Sequence, residues 1–138
     1  MDSLSALLYG MTNQITLTRL KEAYAEAAQE VYDNWHQDED GYDEELGTGG
    51  ICSKIVDAFC LFCSEEGYDT LRVGGYDHEW VAVEVGKKIY EVDIPCSLYE
   101  TGGGYNWTKI DGVEFSPADV SVWESTHTVN ALLNEFAV

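Results

Sequence analysis

The residues best suited to chemistry are a cysteine, a histidine and an aspartate that follow one another along the chain. Cys52 comes directly after a glycine-rich stretch, at the start of an apolar segment with helical spacing. A thiol at a helix N-terminus lies beside unpaired backbone N–H groups and the positive end of the helix dipole, and both favour the thiolate. A thiol nucleophile also needs a base and a group that orients the base, and His78 and Asp93 are the candidates for these roles.

A predicted β-hairpin carries His78 and Asp93 on its two strands, which cover residues 78–85 and 88–94. A two-residue turn would place Asp93 opposite Trp80, with His78 as its diagonal neighbour on the same face of the sheet. A three-residue turn would move Asp93 to the opposite face, so the contact between imidazole and carboxylate depends on the turn length. With the shorter turn, the other face is apolar and carries Val81, Val83, Val85, Tyr90, Val92 and Ile94.

The helices and strands that must position these side chains are predicted from the apolar spacing. Steps of three and four predict helices over residues 16–36 and 51–66, and Gly67 can end the second helix. A strand over residues 70–73 precedes the hairpin. Residues 116–138 open with a Ser-Pro-Ala-Asp helix start and contain an apolar tail with helical spacing, so one or two closing helices are expected there.

A single domain over residues 1–138 is expected from the length and from an apolar fraction of 45%, which suffices for a core of ordinary size. Its predicted parts are an N-terminal helical part with an acidic loop (1–46), a Cys-His-Asp core (47–95) and a closing segment (96–138). Within the closing segment, residues 101–107 are expected to form a turn followed by a strand, with a flexible cleft rim as the alternative.

The charge of the chain restricts its partners. With 26 acidic and 7 basic residues the net charge is −19, which repels the phosphate backbone of nucleic acids and anionic membrane surfaces. No window approaches the roughly 20 apolar residues that span a bilayer, and the first residues lack the positive stretch of a secretory signal. We therefore expect a soluble cytoplasmic protein that binds neither nucleic acid nor membranes and whose charge would attract a basic protein or peptide.

The remaining thiols and carboxylates predict no metal and no cofactor. Cys60 and Cys63 form a CxxC, but they lie in an apolar helical segment without a second such pair, which favours core packing over zinc binding. The acidic loop fails the calcium-loop pattern, because its first and twelfth ligand positions would be His36 and Gly47. Cys52 and Cys60 would lie about 12 Å apart along a helix, too far for a disulfide, so reduced thiols are expected.

The order of these motifs resembles the transglutaminase-like branch of the papain-like cysteine enzymes, in which a helical Cys, a His-x-Trp and an Asp follow in that order. The matching residues are Cys52, "HEW" at 78–80 and Asp93 in "YEVDIP", and the resemblance covers residues 47–95. It implies an α+β fold with a papain-like core, in which the Cys-bearing helix packs on a small antiparallel sheet, with further N-terminal and C-terminal helices. It also implies Cys52 as nucleophile, His78 as base and then acid, and Asp93 as the group that orients His78.

Substrate binding is expected at residues around the nucleophile. Trp80 matches the aromatic residue that follows the family's histidine, and Gly50 would let a substrate backbone approach Cys52, whose N–H could donate to an oxyanion. Papain-like proteases add a side-chain donor from a glutamine a few residues before the cysteine, where this chain has "EELGTGG". The predicted substrate-binding residues are therefore Trp80, Gly50 and Thr48. The residues that could replace the glutamine are Thr48, Trp35, Gln29 and Gln37.

Two functions are compatible with these observations. The first is a cysteine-dependent acyl-transfer enzyme, such as a protease, deamidase, amidase or transglutaminase-like enzyme, that acts on a peptide or side-chain amide through Cys52, His78 and Asp93. The alternative is an acidic binding or decoy protein that occupies a basic partner surface, including a catalytically inactive copy of the same fold.

Overall fold

Two helices and a small antiparallel sheet form an α+β structure in the computed structural model of the chain. The structure describes residues 3–36, 50–74, 78–102 and 107–126. A short 3-10 turn at Cys96–Leu98 follows the hairpin, and a second one at Pro117–Asp119 precedes the last strand. The helices and strands are α1 (Ser3–Asp33), α2 (Ile51–Glu66), β1 (Thr70–Gly74), β2 (Glu79–Val85), β3 (Lys88–Asp93), β4 (Glu100–Thr101), β5 (Thr108–Lys109) and β6 (Ser121–Glu124).

The main sheet has the strand order β1-β2-β3-β6, and every neighbouring pair is antiparallel. Val85 pairs with Lys88 across the hairpin, so the turn has two residues and the predicted register is confirmed. Gly86 has a φ of 63°, a left-handed conformation that favours glycine at this turn position. Strands β4 and β5 form a separate two-stranded ladder.

The apolar core lies between the two helices and one face of the sheet. The face of the hairpin that carries the predicted apolar residues is buried in this core. Tyr24 of α1 and Phe59 of α2 meet there edge to face, with ring centroids 4.8 Å apart. The opposite face of the sheet carries a smaller cluster around the buried residues Val73 and Ala82. Among the described residues, helices therefore cover only one side of the sheet.

Helix α1 begins at Ser3, thirteen residues before the predicted start at Thr16. The apolar stripe that faces the core begins near Leu17, which is why the pattern indicated a later start. Gly10 does not interrupt the helix, since one glycine in a helix interior costs only about 1 kcal/mol. The side chains exposed on the first half of α1 include Leu4, Leu7, Leu8, Met11 and Ile15.

The closing helix predicted from Ser116 onwards is wrong over the part that the structure describes. Ser116 and Asp119 form the expected capping box, but they cap a single 3-10 turn. The chain then continues as β6, which pairs with β3 from Ser121 opposite Asp93 to Glu124 opposite Tyr90. A capping box reports only how a turn begins, and the pairing with β3 is a long-range interaction that local sequence does not reveal. The apolar tail in residues 127–138 lies outside the described residues.

Neither helix in the described ranges combines the length and the apolar character needed to cross a membrane.

Candidate active site

Cys52 is the second residue of α2, as the sequence predicts. The first hydrogen bond of the helix runs from the N–H of Lys54 to the carbonyl of Gly50, at 3.3 Å. The backbone N–H groups of Ile51, Cys52 and Ser53 therefore have no acceptor within the helix, and the N-cap residue, Gly50, has no side chain to cap them. The half-buried thiol of Cys52 thus lies at a helix terminus with backbone donors beside it.

Gly50 precedes α2 in an extended conformation, with a φ of −90°, so the backbone itself does not require glycine there. A Cβ at this position would lie 3.9 Å from the indole of Trp107, which is an ordinary contact. The indole of Trp107 therefore lies beside Gly50, two residues before Cys52. Thr48, the third predicted substrate-binding residue, lies outside the described residues.

His78 and Asp93 are hydrogen-bonded to each other across the open end of the hairpin. Nε2 of His78 lies 2.8 Å from Oδ1 of Asp93. The two side chains are only 19% and 16% exposed, so solvent screens this pair much less than it would a surface pair. The two-residue turn places the imidazole and the carboxylate on one face of the sheet, as the sequence predicts for this turn length.

The second ring nitrogen of His78 is available to Cys52. Nδ1 of His78 is buried and has no hydrogen-bond partner among the described residues. Burial lowers the pKa of His78, but the hydrogen bond to Asp93 and the neighbouring Cys52 outweigh burial and raise that pKa to about 10. Burial also raises the pKa of Asp93, against the opposing effect of its hydrogen bond to His78. An imidazole with this pKa is protonated at neutral pH, and an adjacent imidazolium favours the thiolate form of a cysteine.

Tyrosine side chains and a second thiol surround Cys52 on the core side. Burial raises the pKa of Tyr24, with smaller contributions from Asp93 and Cys52, and burial together with Cys52 raises the pKa of Tyr99. Burial likewise raises the pKa of Cys96, with smaller contributions from Glu100 and Cys52. The two tyrosines and Cys96 therefore stay neutral at neutral pH.

Trp80 packs against His78 on the outer face of the sheet. The two rings are stacked, with centroids 5.7 Å apart and an interplanar angle of 29°. The indole N–H of Trp80 donates to Glu91 at 3.0 Å, and the indole N–H of Trp123 donates to the second oxygen of the same carboxylate at 3.0 Å. Glu91 is only 6% exposed, so these two donors replace the water that its carboxylate has lost. Trp80 is thereby fixed against the face of the His78 ring.

The four residues predicted as possible oxyanion donors differ in the hydrogen bonds that their side chains already make. The side chain of Gln29 accepts from the N–H of Phe115 at 2.7 Å and donates to Asp33 at 2.9 Å, so its amide is committed to packing α1. The indole Nε1 of Trp35 is buried and has no hydrogen-bond partner within the part of the chain that the structure describes, and its ring lies 5.8 Å from that of Trp107, beside Gly50. Gln37 and Thr48 lie outside the described residues. Of the two described candidates, Trp35 is therefore the one whose N–H is available to bind an oxyanion.

The CxxC cysteines lie where core packing predicts them. Cys63 is fully buried, and burial raises its pKa to about 12, which keeps it a neutral thiol and a poor zinc ligand. Cys60 is partly buried against the same core. All four cysteines are free, and no group of three or more potential metal ligands occurs within the residues that the structure describes.

Sequence reasoning misses three residues that surround the predicted pair. Glu91 could have been found, because the two-residue turn places it on the Trp80 face of the hairpin. Trp123 could not have been found from the sequence, because the segment that contains it begins with a helix start signal but forms a strand. Arg72 lies in a correctly predicted strand, but nothing in the sequence indicates which side chains it contacts.

The structure holds His78 against Asp93 and Trp80 at the open end of the hairpin, and Cys52, at the N-terminus of α2, is close enough to raise the pKa of His78. Comparison with known proteins returned no match from protein-family models, curated proteins or solved structures.

Proposed function

We propose that the protein is a cysteine-dependent acyl-transfer enzyme with a papain-like, transglutaminase-like core, acting on peptide or side-chain amides. The observation that carries this proposal is the hydrogen bond between His78 and Asp93, with Cys52 at a helix N-terminus close enough to raise the pKa of His78. A thiol, a base and a group that orients the base are the parts that nucleophilic catalysis requires. The α+β arrangement, with the Cys-bearing helix beside an antiparallel sheet, supports the proposal further.

The first step transfers the acyl group to the protein. At neutral pH His78 is protonated, and the sulfur of Cys52 attacks the carbonyl carbon of the amide, forming a C–S bond while the C=O electron pair moves to oxygen. When the tetrahedral adduct collapses, the C–N bond breaks and the leaving amine takes the proton from His78. His78 is then neutral, and Cys52 carries a thioester.

The second step releases the acyl group. Water or an amine attacks the thioester carbon, and neutral His78 takes the proton of the attacking group. The C–S bond breaks and its electron pair returns to Cys52, which restores the starting pair of charges. Because His78 starts protonated, it acts first as an acid and then as a base, the reverse of the order that the family resemblance implies.

The oxyanion of both tetrahedral adducts needs donors in fixed positions. The N–H of Cys52 has no acceptor within α2 and lies next to the attacking sulfur. We assign the second donor to Nε1 of Trp35. Of the two candidates that the structure describes, Trp35 is the one whose side-chain donor has no hydrogen-bond partner among the described residues, and its ring packs on Trp107 beside Gly50. A buried donor without a partner is costly to a fold unless it serves a function.

The substrate class follows from charge. A groove of about 590 Å³ lies between the C-terminal end of α1 and residues 109–115, and its lining includes the carboxylates of Asp33, Asp111 and Glu114 beside one ammonium, that of Lys109. Together with the net charge of −19, this lining favours basic peptides or proteins. The groove does not include Cys52, so it would bind a part of the substrate away from the scissile amide.

Acyl-enzyme trapping tests the proposed function. The protein is incubated at pH 7 with short basic, neutral and acidic peptides, each as an amide and as a thioester, and then quenched in acid for peptide mass spectrometry. We expect the acyl mass on Cys52, formed fastest from basic peptides, and its complete loss in Cys52→Ala. Cys60→Ala is the matched control on the same helix and should retain the adduct, because Cys60 packs against the core. Equal acylation of wild type and Cys52→Ala would refute the proposal.

A second candidate function is binding without catalysis, favoured by the net charge and by the acidic lining of the groove. In this case a basic peptide binds wild type and Cys52→Ala equally well, and the affinity falls steeply as salt is added. The trapping experiment separates the two functions, since a binding protein forms no adduct at Cys52 with any of the thioesters.

A further inference from the structure

Arg72 of β1 connects α2 to β2 beside the candidate nucleophile and its base. From α2 it contacts Ser53, donating from Nη2 to the backbone carbonyl at 3.2 Å and to the hydroxyl at 3.1 Å. From β2 it contacts Glu79, whose Oε1 accepts from Nη2 at 3.1 Å and from Nε at 3.3 Å. Nη1 also pairs with Asp57, one turn further along α2. A single guanidinium therefore has partners on two elements besides its own strand.

These partners are the chain neighbours of the two reacting groups. Ser53 directly follows Cys52, and Glu79 directly follows His78. We propose that Arg72 is a positioning residue that sets the separation between the Cys52 thiol and the His78 ring. The proposal rests on the proposed function, because this separation affects chemistry only if the two groups react together.

The chemistry of arginine suits this role. Its donors lie in one rigid plane, so contacts on two sides of the guanidinium fix the distance between the groups they hold. A lysine ammonium would supply the charge but not the fixed geometry. Small displacements matter at such a site, since a misplacement of about 1 Å between reacting groups can lower a rate by roughly a hundredfold.

The same contacts contribute little to the stability of the fold. The Arg72 side chain is 36% exposed and its partner Asp57 is 50% exposed, so solvent screens their ion pair. Glu79 is more buried, at 18% exposed, but it faces a partner that remains accessible to water. Substitution of Arg72 should therefore change the position of Cys52 relative to His78 more than it changes the unfolding midpoint.

The experiment compares the rate of Cys52 alkylation by iodoacetamide at pH 6 in wild type, Arg72→Met and Arg72→Lys. We expect the rate to fall about tenfold or more in both variants, with the urea unfolding midpoint nearly unchanged. Arg19→Met is the matched control, because Arg19 pairs with Glu66 at the opposite end of the same helix. This control should leave the Cys52 rate at the wild-type value. Glu79→Gln weakens the contact between Arg72 and β2, and it should lower the Cys52 rate less than Arg72→Met does. This variant replaces Arg72→Met in the test if Arg72→Met does not fold.

A second readout measures position without reactivity. In wild type, NMR should show nuclear Overhauser contacts between the Cys52 side chain and the His78 ring, and these contacts should weaken in Arg72→Met. If both the contacts and the rate are unchanged in Arg72→Met, the positioning role is wrong even though the proposed function stands. If the contacts depend on Arg72 but wild-type Cys52 reacts no faster than Cys96, the positioning role stands and the proposed function fails.

Discussion

Asp93→Ala is expected to lower the rate of Cys52 alkylation at pH 6 by about a hundredfold. Asp93 holds Nε2 of His78 at 2.8 Å, and its hydrogen bond is the main influence that keeps the pKa of His78 high. Without that carboxylate only Cys52 opposes the effect of burial, so the pKa of His78 falls from its value of about 10. The fraction of imidazolium that supports the thiolate at neutral pH then falls. The measurement is the pseudo-first-order labelling rate of Cys52, read by peptide mass spectrometry.

Two control variants separate the effect of the Asp93 charge from the loss of a carboxylate elsewhere and from the loss of the side chain. Glu84→Ala takes one exposed carboxylate from β2 and should leave the Cys52 rate unchanged. Asp93→Asn keeps a hydrogen-bonding group of the same size without the charge, and it should give an intermediate rate. A folded Asp93→Ala protein, by circular dichroism, that labels as fast as wild type would show that Asp93 does not support His78.

Gly74→Ala is expected to lower the free energy of unfolding by about 3 kcal/mol and to slow Cys52 alkylation as well. Gly74 has a φ of 152°, which L side chains rarely adopt. An added Cβ would lie 2.3 Å from the carbonyl oxygen of His78 and 2.9 Å from Cα of Glu79. Backbone atoms cannot rotate away as a side chain can, so β1 and β2 must separate at His78. Urea unfolding gives the first effect, and the Cys52 labelling rate gives the second.

Gly112→Ala separates backbone strain from the steric clash. Gly112 also has a positive φ, 77°, but a Cβ there would meet no heavy atom within 4 Å. We expect this variant to lose only about 1 kcal/mol of stability, from strain, and to label at the wild-type rate. If Gly74→Ala is no less stable than Gly112→Ala, the close approach of β1 to His78 does not constrain the site.

Local patterns account for the parts of the site that the sequence predicts correctly. The glycine-rich stretch before an apolar helical run marks the N-terminus at Cys52, and the period of two on either side of Gly86 predicts the hairpin, whose two-residue turn and register the structure then shows. That register determines which face His78 and Asp93 share, because a shift of one residue would move Asp93 to the other face. Both signals lie within a few residues of the feature they predict.

Interactions between distant segments account for what the sequence does not predict. Ser116 does cap a turn, as its local sequence suggests. The next residues form β6 because they pair with the edge of β3, and no local sequence pattern predicts this long-range pairing. The contact of Trp123 with Glu91 depends on this pairing. The contacts of Arg72 depend likewise on how α2 packs against the sheet, since Ser53 is 19 residues away from it in the chain.

The most direct test of the central claim is the alkylation rate of each cysteine against pH, in wild type and in His78→Ala. If Cys52, His78 and Asp93 act together, Cys52 labels rapidly at pH 6, well below the free thiol pKa of about 8.5, and His78→Ala loses this reactivity. Cys63 serves as an internal reference, since its pKa is raised to about 12. A Cys52 rate that rises with pH like that of a free thiol, equally in wild type and His78→Ala, would contradict the claim.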